Sequence, residues 1–207
     1  MEKRKKRRSK ALIRIGALLI LAAASLTLYN VLDAYRAGRT AQNIEDELTA
    51  VIDQNKKKAE DTVTESSVRE MDVVTLDGVA YIGTISIPAA GLVLPVQYNY
   101  SFDGMRNSPC RYYGSYMTND LVICAHDFSK HFGPIRWLEP GDDVYLQTVD
   151  DVQIRYTVVG LEKLQPDEVD RMVSREDETL GSWDLTLFTC YFGGQTRCAV
   201  RCARTEA

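Results

Sequence analysis

Histidine is scarce in this 207-residue chain, which contains only His126 and His131. Any chemistry that needs an imidazole must draw on one of these two. No C-x-x-C pair occurs among the five cysteines, which speaks against a zinc ribbon and against a thioredoxin-like redox pair. Because the count is odd, disulfides cannot absorb every thiol. Internal repeats, a Gly-rich phosphate loop and low-complexity tracts are all missing. A basic body is missing too. Seven of the 25 Lys and Arg residues lie within residues 1–10, leaving residues 11–207 with 18 basic and 28 acidic side chains, a net of −10. A cationic tail on an acidic body argues against a nucleic-acid partner.

Charge is absent from one long stretch. From Ile15 the run IGALLILAAASLTLYNVL continues for 18 residues without a charged side chain, and as a helix it rises about 27 Å, close to the hydrocarbon thickness of a bilayer. Residues 1–10 read as a cytoplasmic basic tail and 11–32 as a retained transmembrane anchor. The positive charges hold the N-terminus in the cytoplasm and send the rest of the chain outside. Arg14, at the entry, can snorkel toward headgroups. The rival reading is a cleaved signal peptide, for which Ala22 and Ala24 form an A-x-A site.

Residues 33–72 read as a stalk or linker, partly helical. Ile44, Leu48, Val51 and Ile52 make one apolar stripe at helical spacing, which suits either a helix docked on the following domain or a spacer. The segment TVTESS (62–67) marks the linker's end. Residues 73–207 change texture. Short β-rich runs (VAYIGTISI, LVLPVQY, LVICAH, DDVYLQT, VQIRYTVVGL, LTLFTC, RCAVRC) recur about every ten residues with Gly, Pro and Asp between them. That pattern predicts an all-β sandwich or barrel. A helical interruption is expected over 166–182, with Asp167 as its cap, and NSPCRYYG, which holds Cys110, reads as turn-like.

The strongest local signal is Gly193-Gly194 between LTLFTC and RCAVRC, which predicts a hairpin. A two-residue turn there pairs Phe192 with Gln195, Tyr191 with Thr196 and Cys190 with Arg197. Leu185, Leu187 and Thr189 then share a core face with Cys202, Val200 and Cys198. Thr186, Phe188 and Cys190 share a polar face with Arg201, Ala199 and Arg197. A thiol beside a guanidinium suits nucleophilic chemistry, because the permanent cation stabilises a thiolate and can donate to an oxyanion. Cys198 and Cys202 read as buried structural thiols, with a disulfide as the alternative. Cys110 and Cys124 have no opposed cation. His126 closes the apolar run LVICA, where a strand holds its side chain rigidly. His131 falls in a loop and reads as a surface histidine, so His126 is the better candidate base.

A strand ending in histidine, a later strand ending in TLFTC and an arginine seven residues after that cysteine together resemble the sortase family of cysteine transpeptidases on Gram-positive cell surfaces. TLFTC is similar to the family's TLxTC motif, LVICAH to its histidine strand, and Arg197 in QTRCAV to its arginine. IGTISIPAAGLVLPV resembles its opening strands and HFGPIRWLEPGDDVYL the segment after the histidine, so the likeness spans about residues 80–205. SPCRYYG and the short insertion look class B-like. Ala125 stands where glycine is more usual, the link from Cys190 to Arg197 is short, and four extra cysteines are present.

The resemblance implies a closed eight-stranded β-barrel with short helices behind an N-terminal transmembrane helix. It implies cleavage of an LPxTG-like sorting signal on surface proteins or pilins, with Cys190 as nucleophile, His126 protonating the leaving amine, and Arg197 holding the substrate backbone and the developing oxyanion. The acceptor would be an amine of a peptidoglycan precursor or a pilin lysine, and the site would work outside the cell membrane. No metal or organic cofactor is required by that scheme, while the acidic residues of GDD and of 168–177 leave calcium open. A silent or hydrolytic wall-peptide-binding module of the same fold is the alternative. A papain-like hydrolase fits less well, because its cysteine opens a helix and precedes the histidine.

Overall fold

In the computed structural model, residues 2–59, 71–191 and 193–205 are described. The first element, α1, runs over Glu2–Ala59. Two compact units divide the chain, residues 1–36 and 37–207. In the first unit the leucines and isoleucines from Ile13 to Leu32 are exposed, and the helix that contains them is long and apolar enough to cross a membrane.

The second unit begins with the remainder of α1. Leu48 is fully buried and Ile52 nearly so, in a cluster with Tyr81 and Val149 that Ile44 and Val74 flank. Of the two readings open for the apolar stripe, the structure has the docked helix. Burying each such side chain stabilises the contact by roughly 1.5–3 kcal/mol. The TVTESS segment lies outside the described residues.

Strands β1 (Val74–Leu76), β2 (Val79–Ile87), β3 (Leu92–Gln97), β4 (Cys110–Tyr113), β5 (Leu121–Ala125), β6 (Asp143–Thr148) and β7 (Gln153–Leu164) follow. Next come the five-residue helix α2 (Val169–Val173) and the small pair β8 (Glu176–Asp177) and β9 (Gly181–Ser182), and then β10 (Leu185–Tyr191) and β11 (Thr196–Thr205). Neighbours in the main sheet run β1-β2-β3-β4-β5-β10-β11-β7-β6, and β6 pairs back onto β2. That last pairing closes eight strands into a barrel, with β1 attached outside the ring on β2. Closure abolishes the free edges that would otherwise invite aggregation.

Gly83 sits where the ring closes. Its φ is +147°, it pairs with Thr148, and a Cβ there would stand 2.0 Å from the Gln147 carbonyl oxygen. Only glycine allows the two strands to approach that closely.

The barrel interior is filled by alternating residues of the ring, among them Ile85, Leu94, Ile123, Leu146, Tyr156, Leu187 and Val200. A second apolar cluster lies on the other side of the β5–β10–β11 sheet, where Met105, Cys124, Met172, Phe188 and Ala199 meet.

Two sequence expectations change here. NSPCRYYG contributes strand β4 and is not a turn: Cys110 is completely buried and pairs with Cys124 across to β5. The helix expected over 166–182 is only α2, and the rest folds into the β8–β9 pair. The Asp177 carboxylate accepts N–H bonds from Thr179 and Leu180, and Gly181 takes a φ of +75°. That local turn outcompetes helical continuation. Asp167 is not the helix cap, since Glu168 occupies that position without a side-chain capping bond.

Candidate active site

Three adjacent strands set the site. Strands β5 and β10 run parallel, with Phe188 opposite Cys124 and Thr189 opposite Ala125 as their last pairs. His126 and Cys190 are each the next residue along. The pair before them is pinned by the buried Thr189 hydroxyl, which donates to the Ala125 carbonyl at 2.9 Å. On the other side of β10, Cys190 is directly opposite Arg197 of β11. Cys190 is thus paired with Arg197, and His126 is one residue past the last β5–β10 pair, so the three residues stand at or just beyond the ends of three adjacent strands. Cys190, His126 and Arg197 are all half-buried.

The register expected for the last hairpin is present pair for pair from Leu185–Cys202 to Tyr191–Thr196. The Phe192–Gln195 pair lies outside the described residues. Gly193 and Gly194 adopt φ values of +66° and +92°, as a tight hairpin turn requires. The face expected to be polar is corrected. Thr186, Phe188, Ala199 and Arg201 are all buried, because α2 and the segment after β3 pack over them, and only the end with Cys190 and Arg197 stays partly open.

The two arginines of β11 on that face differ accordingly. Arg201 is fully buried; it donates to Glu162 at 2.7 Å, to Thr186 at 2.8 Å and to the α2 carbonyls of Arg171 and Met172, and it stacks 4.6 Å from the Trp183 ring. Burial pulls its pKa down, and the Glu162 carboxylate opposes that pull. Glu162 also pairs with Arg171, which in turn pairs with Asp177. Of the acidic residues of 168–177, Asp177 serves this network. Arg197 instead donates from Nη1 to the Gly194 and Thr196 carbonyls at 2.9 and 3.3 Å, which fixes the guanidinium beside the hairpin turn.

The two histidines also part ways. His131 is not at the surface: it is fully buried, and burial pushes its pKa down to about 4, with the charge of His126 adding to the effect and the peptide groups of Ala37 and Met105 opposing it. At neutral pH it is an uncharged core side chain. His126 faces two aromatic rings, Phe102 edge-on at 5.2 Å and Phe128 at 5.1 Å.

All five cysteines are free thiols. Burial raises the pKa of Cys110, Cys124, Cys198 and Cys202, so these four resist forming thiolates. Cys190 is the one cysteine of the five that is not buried.

Several residues at the site carried no sequence signal. Phe102 is 65 % exposed and rides on the loop between β3 and β4. Tyr100 on the same loop feels the charge of Arg197 and stacks edge-on with Tyr112, which stacks edge-on with Phe188. This loop reaches the site through the Phe102–His126 contact. Phe128, two residues after His126, could have been suspected from proximity; Tyr100 and Phe102 could not.

Comparison with known proteins agrees with this fold. A sortase-domain family model matches residues 85–205, more than half of the chain. No curated protein matches the chain by sequence. Among solved structures, sortase C of Clostridium perfringens with the C-terminal cell wall sorting motif is similar at 26 % identity and a TM-score of 0.52, covering 80 % of this chain and 91 % of that one. Sortase C of Streptococcus pneumoniae shares the fold at 18 % identity and a TM-score of 0.54, covering 85 % and 90 %. The pilus-related sortase C of Group B Streptococcus shares it at 21 % identity and 0.53, covering 84 % and 96 %. The family match, the closed barrel and the order of the motifs agree, and the chain belongs to the sortase family.

Proposed function

We propose that this chain is a membrane-anchored transpeptidase that cleaves an LPxTG-like sorting signal and joins the new C-terminus to an amine. The observation that carries the reading is that Cys190 pairs with Arg197, while His126 and Cys190 each directly follow the last pair of the parallel strands β5 and β10. Cys190 Sγ passes its proton to His126 as it attacks the scissile carbonyl, and the C–N bond breaks as a thioester forms. His126 gives its proton to the departing amine. Arg197 donates to the oxygen that gains charge and to the substrate backbone, from a position already fixed by its bonds to the turn. In the second half, a neutral acceptor amine attacks the thioester carbon. The new C–N bond forms as the C–S bond breaks, and the proton shed by nitrogen returns through His126 to the thiolate.

That the Clostridium perfringens neighbour was solved with a cell wall sorting motif supports a sorting signal as the donor. Surface proteins or pilins would carry it, and a peptidoglycan precursor or a pilin lysine would supply the amine. The apolar helix and the seven preceding basic residues support a single span with the N-terminus in the cytoplasm and the barrel outside.

The test uses the full chain in detergent with LPxTG-like peptides and an amine acceptor. Amine-dependent product that vanishes in Cys190→Ala supports transpeptidation, and product formed with water alone in the presence of amine points to a hydrolase. Absence of product from a broad peptide library overturns the enzyme reading.

A further inference from the structure

A cavity of about 290 Å³ adjoins the site on the opposite face of the β10–β11 hairpin, lined by Arg136, Leu161, Glu162, Lys163, Tyr191 and Cys198. Tyr191 directly follows Cys190 along β10, and Cys198 pairs with Thr189, the residue before it. Two cations converge on the Tyr191 ring, the Arg136 guanidinium at 5.1 Å and the Lys163 ammonium at 5.8 Å from its centroid. Arg136 is held by a 2.7 Å bond from Nε to the Gly133 carbonyl, and its charge reaches the Cys198 thiol, where it opposes the upward push of burial. The one acidic lining residue, Glu162, has its carboxylate engaged by Arg201 and Arg171.

We propose that this cavity binds a carboxylate of the amine acceptor, so that the preferred acceptor is a short peptide bearing an amine at one end and a carboxylate at the other. The inference rests on the transpeptidase reading and adds to it the chemical class of the second substrate. Paired cations around an aromatic ring make a carboxylate site in which the guanidinium supplies a planar fork of N–H donors and the ammonium a point charge. The same charges disfavour an ammonium, so the acceptor's amine is directed away from the cavity and toward the thioester.

Distance sets the acceptor's length. Side chains on opposite faces of a strand are on the order of 10 Å apart, and near the hairpin's end lies the turn of Gly193 and Gly194. An extended chain advances about 3.5 Å per residue, so about three residues reach from the cavity over the end of the hairpin to the acyl group on Cys190.

The experiment compares triglycine with triglycinamide, which share the amine and the length and differ in the terminal carboxylate. With the full chain, a fixed sorting-signal peptide and low salt, triglycine is expected to have a kcat/KM at least fivefold above that of the amide. In the Arg136→Gln/Lys163→Gln chain, and in part in Lys163→Gln alone, the ratio is expected to fall toward one. Equal use of the two acceptors by the unaltered chain, or a preference that survives both substitutions, overturns the proposal.

Binding to the full-length Cys190→Ala chain, measured by calorimetry, decides the same question without turnover. Triglycine is expected to bind more tightly than triglycinamide, and that difference is expected to disappear when the two cations are replaced. No difference between the peptides overturns the carboxylate site. A chain that forms no acyl-enzyme yet binds triglycine selectively would overturn the transpeptidase reading and leave the carboxylate site standing.

Discussion

Arg197 and Arg201 stand four residues apart on the same face of β11, yet their surroundings give them different work. Arg201 is sealed beneath α2, with Glu162, Thr186 and two helix carbonyls accepting its N–H groups. Arg197 sits at the open end, holds the turn with one nitrogen, and is half-buried opposite Cys190. The histidines repeat the contrast: His131 is locked in the core, while His126 is half-buried just past the end of β5. A cation or an imidazole near the nucleophile is thus no guide to role until its burial and its committed bonds are known. By burial, Cys190, Arg197 and His126 are each only half-buried, whereas Arg201 and His131 are fully buried.

The contrast breaks most visibly at Arg201. Arg201→Ala leaves the Glu162 carboxylate without its buried partner and is expected to cost about 3–5 kcal/mol of stability, read as a lower urea midpoint. Arg197→Ala is expected to leave that midpoint nearly in place and to lower kcat by about 10²–10³-fold, or roughly 3–4 kcal/mol of transition-state stabilisation. If Arg197→Ala unfolds the barrel, or if Arg201→Ala removes activity without loss of stability, the division of roles between the two arginines is wrong.

His131 sharpens the comparison through pH. Its folded pKa of about 4 lies below the unfolded value of about 6.5, so the unfolded chain binds the proton first as pH falls. Stability from this residue is complete above about pH 6.5 and is lost as pH drops toward 4, by on the order of 3 kcal/mol. Replacing it with a neutral side chain in His131→Gln is expected to flatten that part of the stability–pH curve, whatever the substitution costs at neutral pH. An unchanged slope between pH 6.5 and 4 would remove His131 as its source.

The smallest expected effect is at Phe102, whose exposed ring borders His126. Phe102→Ala is expected to lower kcat about fivefold by freeing the imidazole, with the thermal midpoint unchanged and Phe102→Tyr restoring most of the rate. A rate unaffected by Phe102→Ala would show that Phe128 and the strand end hold His126 without help.

How much of this was legible in the sequence depended on the range of the interactions. The β10–β11 register could be read because a Gly-Gly turn and period-two alternation are local, and Cys190 opposite Arg197 followed from counting. The barrel followed from the run spacing together with the family resemblance. The covering of the Thr186–Phe188 face could not be read, since it depends on α2 and the β3–β4 loop folding back from distant positions. Arg201 looked polar and exposed because its partner Glu162 is 39 residues away in sequence. His131 looked like a loop residue, and its loop packs inward with Phe132 and Ile135, both fully buried. Residues 44–52 showed their apolar stripe but not its partners, Tyr81 and Val149. The turn-like look of NSPCRYYG hid strand β4, in which Cys110 is the buried residue.

The central claim is that the set of His126, Cys190 and Arg197 is the working site, and the most direct measurement is mass spectrometry of the full chain incubated with sorting-signal peptides and no acceptor amine. The account predicts an acyl adduct on Cys190, absent from Cys110, Cys124, Cys198 and Cys202 and greatly reduced in His126→Ala and Arg197→Ala. An adduct on one of the four buried cysteines, or none on Cys190 across a broad peptide library, would contradict it.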